Sequence, residues 1–183
     1  MKVLIDACVL YPTVMREVML GCARAELFTP LWSVRILEEW ARAASKLGEG
    51  QEAVARGEIT LAQAAWPGAV IAQTPKLEAM LYLPDPNDTH VLAAAIAGEA
   101  AVIVTMNLKD FPNRTLAEHD LRALQPDVFL RGLFGGAPDL VAEVVGAVQA
   151  EAERLSGQRW PLRKLMKKAR LPRLGKALEI QQR

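Results

Sequence analysis

The stretch that decides the fold is Met1-Lys2-Val3-Leu4-Ile5-Asp6, at the start of the chain. A short, apolar run of this kind, with β-branched residues, predicts a buried parallel strand over residues 2–5. Asp6 then falls at the carboxyl end of that strand, where open α/β sheets assemble their functional sites. These six residues therefore predict both a parallel sheet and a polar site at its edge.

Segments that alternate between strand-like and helix-like patterns follow this first strand. Residues 27–30 are expected to be extended, residues 101–104 form the clearest internal strand, and residues 121–124 resemble a further one. The intervening helices are expected over residues 12–25, 34–45 (capped by Ser33), 50–56, 60–73 and 88–98 (capped by Asn87), with another beginning at Pro126. This alternation predicts an α/β fold, in which helices cover both faces of a small parallel sheet of three or four strands.

The bulk composition limits the classes of function. A chain of 183 residues that is 51% apolar can form one sizeable domain with its own core. It has no run of 18 apolar residues and no signal-peptide pattern, so a cytoplasmic location without a membrane partner is the expectation. Cys8 and Cys22 are too few for a disulfide framework, and their spacing matches no zinc motif.

The C-terminal part of the chain differs sharply in charge from the rest. Gly135-Gly136-Ala137-Pro138 is the strongest boundary signal, so we expect a domain over residues 1–135 and a helical extension over residues 136–183, with helices near 139–155, 161–169 and 173–181. Residues 154–183 hold ten basic side chains and one acidic side chain, whereas the preceding residues are net acidic. This basic tail is expected to grip a polyanion such as RNA, to dock onto an acidic protein surface, or simply to be solvated.

Three further acidic clusters lie at predicted element boundaries: Glu38-Glu39, Asp85-Pro86-Asn87-Asp88 and Asn107-Leu108-Lys109-Asp110. Each acid has a simpler structural explanation, since Asp88 can complement a helix dipole and Glu39 can pair with Arg35 one turn earlier. Several carboxylates at one sheet edge would nevertheless repel each other unless a cation lay between them. Hard oxygen ligands suit Mg²⁺ or Mn²⁺, and such an ion can activate water for attack on a phosphodiester.

These segments resemble a PIN domain, of the branch that includes VapC-type toxins of bacterial toxin–antitoxin pairs. The resemblance covers roughly residues 1–135 and is strongest over residues 83–95 and 101–112. It implies a three-layer α/β/α sandwich and Mg²⁺- or Mn²⁺-dependent cleavage of RNA. The implied catalytic and metal-binding residues are Asp6, Glu39, Asp88 and, as the fourth acid, Asp110. Thr105 could orient a ligand or water, and Asn107 is a further polar candidate for the site. Asp85 is an extra acid that is expected either to support the other acids from behind or to form the turn.

The resemblance also implies partners. A small antitoxin would insert a basic side chain into the acidic groove, and the chain could form a homodimer. Arg16 and Lys109 are candidate contacts for RNA, and His90 could approach the substrate or have a structural role. With aromatic residues at only 5% of the chain, RNA contacts are expected to involve mainly phosphates and shape.

Cys8 departs from the family pattern, in which a small polar residue is more common at this position. A thiol is a poor Mg²⁺ ligand, so the hydrogen bond usually made from this position is left open. Cys8 also argues against a phosphatase of the haloacid type, which would need a second aspartate there, and the paired acids of a phospho-receiver are absent as well. A catalytically silent RNA-binding module and a housekeeping PIN nuclease remain open alternatives to a toxin.

Overall fold

The computed structural model describes residues 1–181, so Arg183, which the sequence analysis counted in the basic tail, lies outside the described residues. The chain forms two compact units. The sheet unit contains Met1–Tyr11 and Phe28–Leu124, and the helical unit contains Pro12–Leu27 and the residues from Gln125 onward. Residues 12–27 thus belong to the same unit as the C-terminal segment, and the domain boundary predicted at residue 135 stays a prediction.

All strands lie in the sheet unit and are parallel. They are β1 (Lys2–Ile5), β2 (Thr29–Ser33), β3 (Val70–Ile71), β4 (Val102–Val104) and β5 (Arg122–Leu124), in the spatial order β3-β2-β1-β4-β5. In the three central strands, Leu4 of β1 is paired with Leu31 of β2 on one side and with Ile103 of β4 on the other, and all three side chains are buried. The predicted α/β/α class with a small parallel sheet is confirmed.

The strand order determines where a site can form. From β1 the chain continues to β2 on one side of the sheet, whereas β4 pairs with the other side of β1. Connections that leave in opposite directions open a crevice at the carboxyl ends of the two strands, and ligands of open α/β sheets bind there. Asp6 directly follows β1 and Thr105 directly follows β4, so both residues stand at this switch point.

The helices are α1 (Ala7–Leu10), α2 (Thr13–Arg24), α3 (Val34–Ser45), α4 (Gln51–Ala65), α5 (Pro75–Glu78), α6 (Thr89–Ala97), α7 (Asn113–Ala117), α8 (Pro126–Gly136), α9 (Pro138–Ser156), α10 (Leu162–Lys168) and α11 (Pro172–Gln181). The predicted cap of α3 is confirmed, because Ser33 Oγ accepts a hydrogen bond of 3.2 Å from the Ile36 N–H. Among residues 1–181, none of the helices is both long enough and apolar enough to span a membrane.

The segment between α3 and α6 contains the main errors of the sequence prediction. The two helices predicted over 50–56 and 60–73 are one helix, α4, which tolerates Gly57 at a cost of only about 1 kcal/mol. The helix ends at Ala65 because Trp66 precedes Pro67, and a residue before proline disfavours the helical conformation. The chain then enters β3, which supplies a fifth strand where three or four were expected.

Candidate active site

Asp6 is held in place by the ends of the two central strands. Its backbone N–H donates to the carbonyl of Val104 at 3.1 Å, and its carboxylate is only 5% exposed. Two side chains donate to the same oxygen, Asp6 Oδ2: the Thr105 hydroxyl at 2.7 Å and the Cys8 thiol at 3.0 Å. The carboxylate therefore has a fixed orientation, while its other oxygen, Oδ1, takes part in neither bond.

Cys8 supplies the hydrogen bond that the sequence left open. Burial, followed by the negative charge of Asp6, raises the pKa of the thiol to about 12, so the sulfur keeps its proton at neutral pH. The protonated thiol can donate to Asp6, while the sulfur accepts the Met106 N–H at 3.2 Å. The Thr105 hydroxyl lies 3.5 Å from the sulfur and accepts the Asn107 N–H at 3.0 Å. Asn107 thus enters this network through its backbone.

Asp88 lies in a crowd of negative charge. Its pKa is raised to about 6, first by burial and then by the charges of Asp6, Asp85 and Asp110, whereas His90 acts in the opposite direction. These charges act strongly only over short distances, so the three other acids lie in the neighbourhood of Asp88. Asp6 and Asp110, two of the other predicted catalytic acids, are thus close enough for their charges to act on Asp88, as is Asp85.

Asp85 shapes the turn that presents Asp88. Its side chain accepts a hydrogen bond of 2.9 Å from the Asn87 N–H and caps a short 3-10 turn over Pro86–Asp88. The prediction that Asn87 caps the following helix is therefore wrong, because the preceding aspartate already caps this turn and Asp88 precedes α6.

Glu39 has different partners from the other acids. Its Oε1 accepts from Arg35 Nε at 3.2 Å and lies 3.1 Å from His90 Nε2, in an orientation that falls short of a regular hydrogen bond. Burial raises the pKa of Glu39, but its contacts with His90 and Arg35 outweigh this effect and the pKa is lowered. Arg35 also contacts Glu78 and the Asn87 carbonyl, each at 3.3 Å. Glu39 is therefore an ionised carboxylate that is already partly neutralised.

The donor set fits a hard divalent cation in its chemistry. The crowded groups are all carboxylates, and a cation among them would relieve the repulsion that raises the pKa of Asp88. In residues 1–181, however, no three histidine, cysteine, aspartate or glutamate side chains are close enough together to ligate one ion. Binding of a metal would therefore require side-chain rotations, for which Glu39 would have to exchange some of its contacts with Arg35 and His90.

The two basic residues proposed as RNA contacts differ in exposure. Arg16 is only 2% exposed and pairs with Glu17 at 3.3 Å, so its predicted role as a contact for RNA is wrong. Lys109 is exposed next to Asp110 and stays a candidate.

Comparison with known proteins identifies the family to which the chain belongs. Residues 2–109 match the PIN domain family, which is more than half of the 183 residues, and the chain therefore belongs to that family. The matched range includes Asp6, Glu39 and Asp88 and ends one residue before Asp110. This confirms the resemblance of the sequence to a PIN domain.

One relative carries a more specific name. A segment of 43 residues is 56% identical to the protein named "Putative ribonuclease VapC50" from Mycobacterium tuberculosis (strain ATCC 25618 / H37Rv). The match covers 24% of this chain and 25% of that protein, so the chain spans about a quarter of the relative's length. No solved structure matches the chain.

Proposed function

We propose that this protein is a divalent-metal-dependent endoribonuclease. The observation that carries the proposal is the crowding of negative charge at Asp88, whose pKa is raised to about 6 by burial and by the charges of Asp6, Asp85 and Asp110. Asp6 itself lies at the switch point of the parallel sheet. Its membership of the PIN domain family and the name of the partial relative support the same class of reaction. The nuclease domain would span residues 1–135, and residues 136–183 would be a basic extension.

The acids have distinguishable roles in this proposal. Asp6, Asp88, Asp110 and Glu39 would hold Mg²⁺ or Mn²⁺, which would activate water and stabilise charge on the phosphodiester. Thr105 and Cys8 fix the orientation of Asp6, and Asp85 fixes the turn that carries Asp88. Glu39 and Asp110 are the candidates for orienting the attacking water. The lowered pKa of Glu39 keeps it able to accept a proton at neutral pH.

The proposed substrate is RNA with accessible bases, in single-stranded or looped segments. The proposed cellular role is that of a cytoplasmic toxin, held inactive by a small antitoxin and able to form a homodimer. A short neighbouring gene for a DNA-binding protein would support this role, and its absence would favour a housekeeping nuclease.

The test of the activity is cleavage of a panel of structured and single-stranded RNAs in the presence of Mn²⁺. Wild type, Asp6→Asn and Asp88→Asn are compared, with EDTA as the metal-free arm. We expect cleavage by wild type only, and loss of cleavage in EDTA. Asparagine keeps the shape and accepting oxygen of the side chain, so the Thr105 bond to residue 6 can persist. Equal residual cleavage in all three proteins would favour the catalytically silent module instead.

A further inference from the structure

A dense set of exposed basic side chains lies on and before the last two helices of the helical unit. Six of them define what we call the basic surface: Arg159, Lys164, Lys167, Arg170, Arg173 and Lys176. All six side chains are exposed. Their charges therefore remain accessible to a partner in solution.

Little negative charge accompanies the basic surface. Glu179 is the single acid within residues 154–181, and it pairs with Arg163 at 2.5 Å, outside the set of six. Lys168 lies with its Nζ 4.6 Å from the centroid of the Trp160 ring. Within residues 1–181, no side-chain nitrogen of the basic surface lies within ion-pair distance of a carboxylate. The side chains of the basic surface thus carry positive charge that no ion pair within the described residues neutralises.

The basic surface rests on a well-packed support. Between α10 and α11, Gly175 approaches Met166 so closely that a Cβ at residue 175 would lie 2.8 Å from the Met166 Cβ. Leu165, Leu171 and Leu174 are fully or almost fully buried beneath the exposed side chains. Four of the six cations, Lys164, Lys167, Arg173 and Lys176, are therefore displayed on two closely packed helices, which reduces the ordering cost of binding.

A buried carboxylate fixes the start of α11. Asp127, on α8, accepts three hydrogen bonds from backbone N–H groups of Arg173 and Leu174, at 3.0 to 3.1 Å. The side chain is 7% exposed. A charged cap from another helix is a strong anchor, because charge-assisted hydrogen bonds are about twice as strong as neutral ones. It holds the basic surface in a defined position within the helical unit.

We propose that the basic surface binds the sugar–phosphate backbone of RNA and so holds the substrate of the ribonuclease activity, on which this inference rests. Six uncompensated cations match a partner with regularly spaced negative charge, and nucleic-acid backbones supply such charge. All six side chains are exposed, so they are open to such a partner. An acidic protein is the competing partner, and the test distinguishes it.

The expected signature is a salt dependence. Each phosphate contact on single-stranded nucleic acid contributes about 0.7 to the slope of log K against log salt concentration, through the release of counterions. Removal of two contacts should therefore lower the magnitude of the slope by about 1.4. Contacts with bases or apolar groups would not produce this change.

The experiment measures the binding of a labelled single-stranded oligoribonucleotide to the full chain in EDTA, between about 50 and 200 mM salt. The test variant is Lys164→Gln/Lys167→Gln, and the matched control is Lys46→Gln/Lys76→Gln, which removes two exposed lysines from the sheet unit. We expect the slope to fall by about 1.4 and the affinity to fall more than about 10-fold at low salt in the test variant only.

Three results would overturn the proposal. The slope could be unchanged in the test variant, or it could fall equally in the control. The test variant could also lose binding to labelled poly-L-glutamate while it keeps its affinity for RNA, which would assign the basic surface to an acidic protein. Because binding is measured without metal, failure of cleavage would leave this result intact, and failure of the slope test would leave the cleavage result intact.

Discussion

The acidic site of the sheet unit and the basic surface of the helical unit are built in opposite ways. The crowded acids Asp6, Asp85, Asp88 and Asp110 come from three separate segments, and Asp6 lies at the carboxyl edge of the parallel sheet. The basic side chains come from one segment of fewer than 20 residues, on two successive helices and in the residues next to them. The first assembly depends on the whole sheet, whereas the second depends mainly on local packing and one cap. Substitutions should therefore separate catalysis from binding.

The largest effect is expected at Asp88. Replacement by asparagine removes one carboxylate from the crowded group, and the rate of RNA cleavage with Mn²⁺ should fall more than about 100-fold. This loss exceeds the 10- to 100-fold that is typical when a residue that hydrogen-bonds to a metal ligand is replaced. Glu38→Gln is the matched control, since Glu38 lies on α3 beside Glu39 but pairs with Arg42 and Arg56. A similar loss in both variants would contradict a specific site. RNA binding in EDTA should be unaffected by either substitution.

A smaller loss of RNA cleavage is expected when Thr105 is replaced. Thr105→Val keeps the shape of the side chain but removes the 2.7 Å hydrogen bond to Asp6, so cleavage should fall about 10- to 100-fold. The control is Thr60→Val on α4, whose hydroxyl bonds the Arg56 carbonyl at an exposed position. Cleavage assays at several Mn²⁺ concentrations measure the effect. If added Mn²⁺ restores much of the rate, Thr105 acts by orienting a metal ligand.

Replacement of Asp127 should lower the stability of the helical unit. Asp127→Ala removes the cap of α11, and the free energy of unfolding should fall by about 1 to 2 kcal/mol, in the range for lost helix caps. Urea denaturation measures the change, with the exposed Glu118→Gln as a control. RNA binding should weaken along with stability, because α11 carries part of the basic surface. Unchanged stability would mean that the cap is dispensable.

The smallest expected effect is the pH dependence of stability in the metal-free protein. The folded state holds the Asp88 proton more tightly than the unfolded state, since the pKa rises from its ordinary 3.8 to about 6. The contribution of Asp88 to the free energy of unfolding should therefore decline as the pH rises between these two values. Denaturation of wild type and Asp88→Asn across this range measures it as the difference between the two curves. A difference that does not vary with pH would rule out the raised pKa.

The sequence was sufficient to predict those site residues that directly follow a strand. Asp6 and Thr105 could be placed because each directly follows a short apolar run, and such runs read as buried strands. Strand β3 was missed because two residues between Pro67 and Pro75 carry no alternating pattern. Its existence depends on pairing with β2, a contact that no local signal reports.

The hydrogen bonds around the acids were harder to predict. The contact of His90 with Glu39 joins two helices that are distant in sequence, and neither residue carries a local signal of it. The bond from Cys8 to Asp6 depends on the thiol being buried and protonated, which the sequence alone does not report. The pairing of Glu39 with Arg35, by contrast, follows from their spacing along one helix and was predicted.

Binding of Mn²⁺ tests most directly whether the crowded carboxylates form a metal site. Titration calorimetry at pH 7 would compare wild type, Asp88→Asn and the control Glu38→Gln. We predict saturable binding in wild type and Glu38→Gln, and a loss of affinity of at least about 10-fold in Asp88→Asn. Binding that is absent from wild type, or equally strong in all three proteins, would contradict the assignment of these acids to a metal.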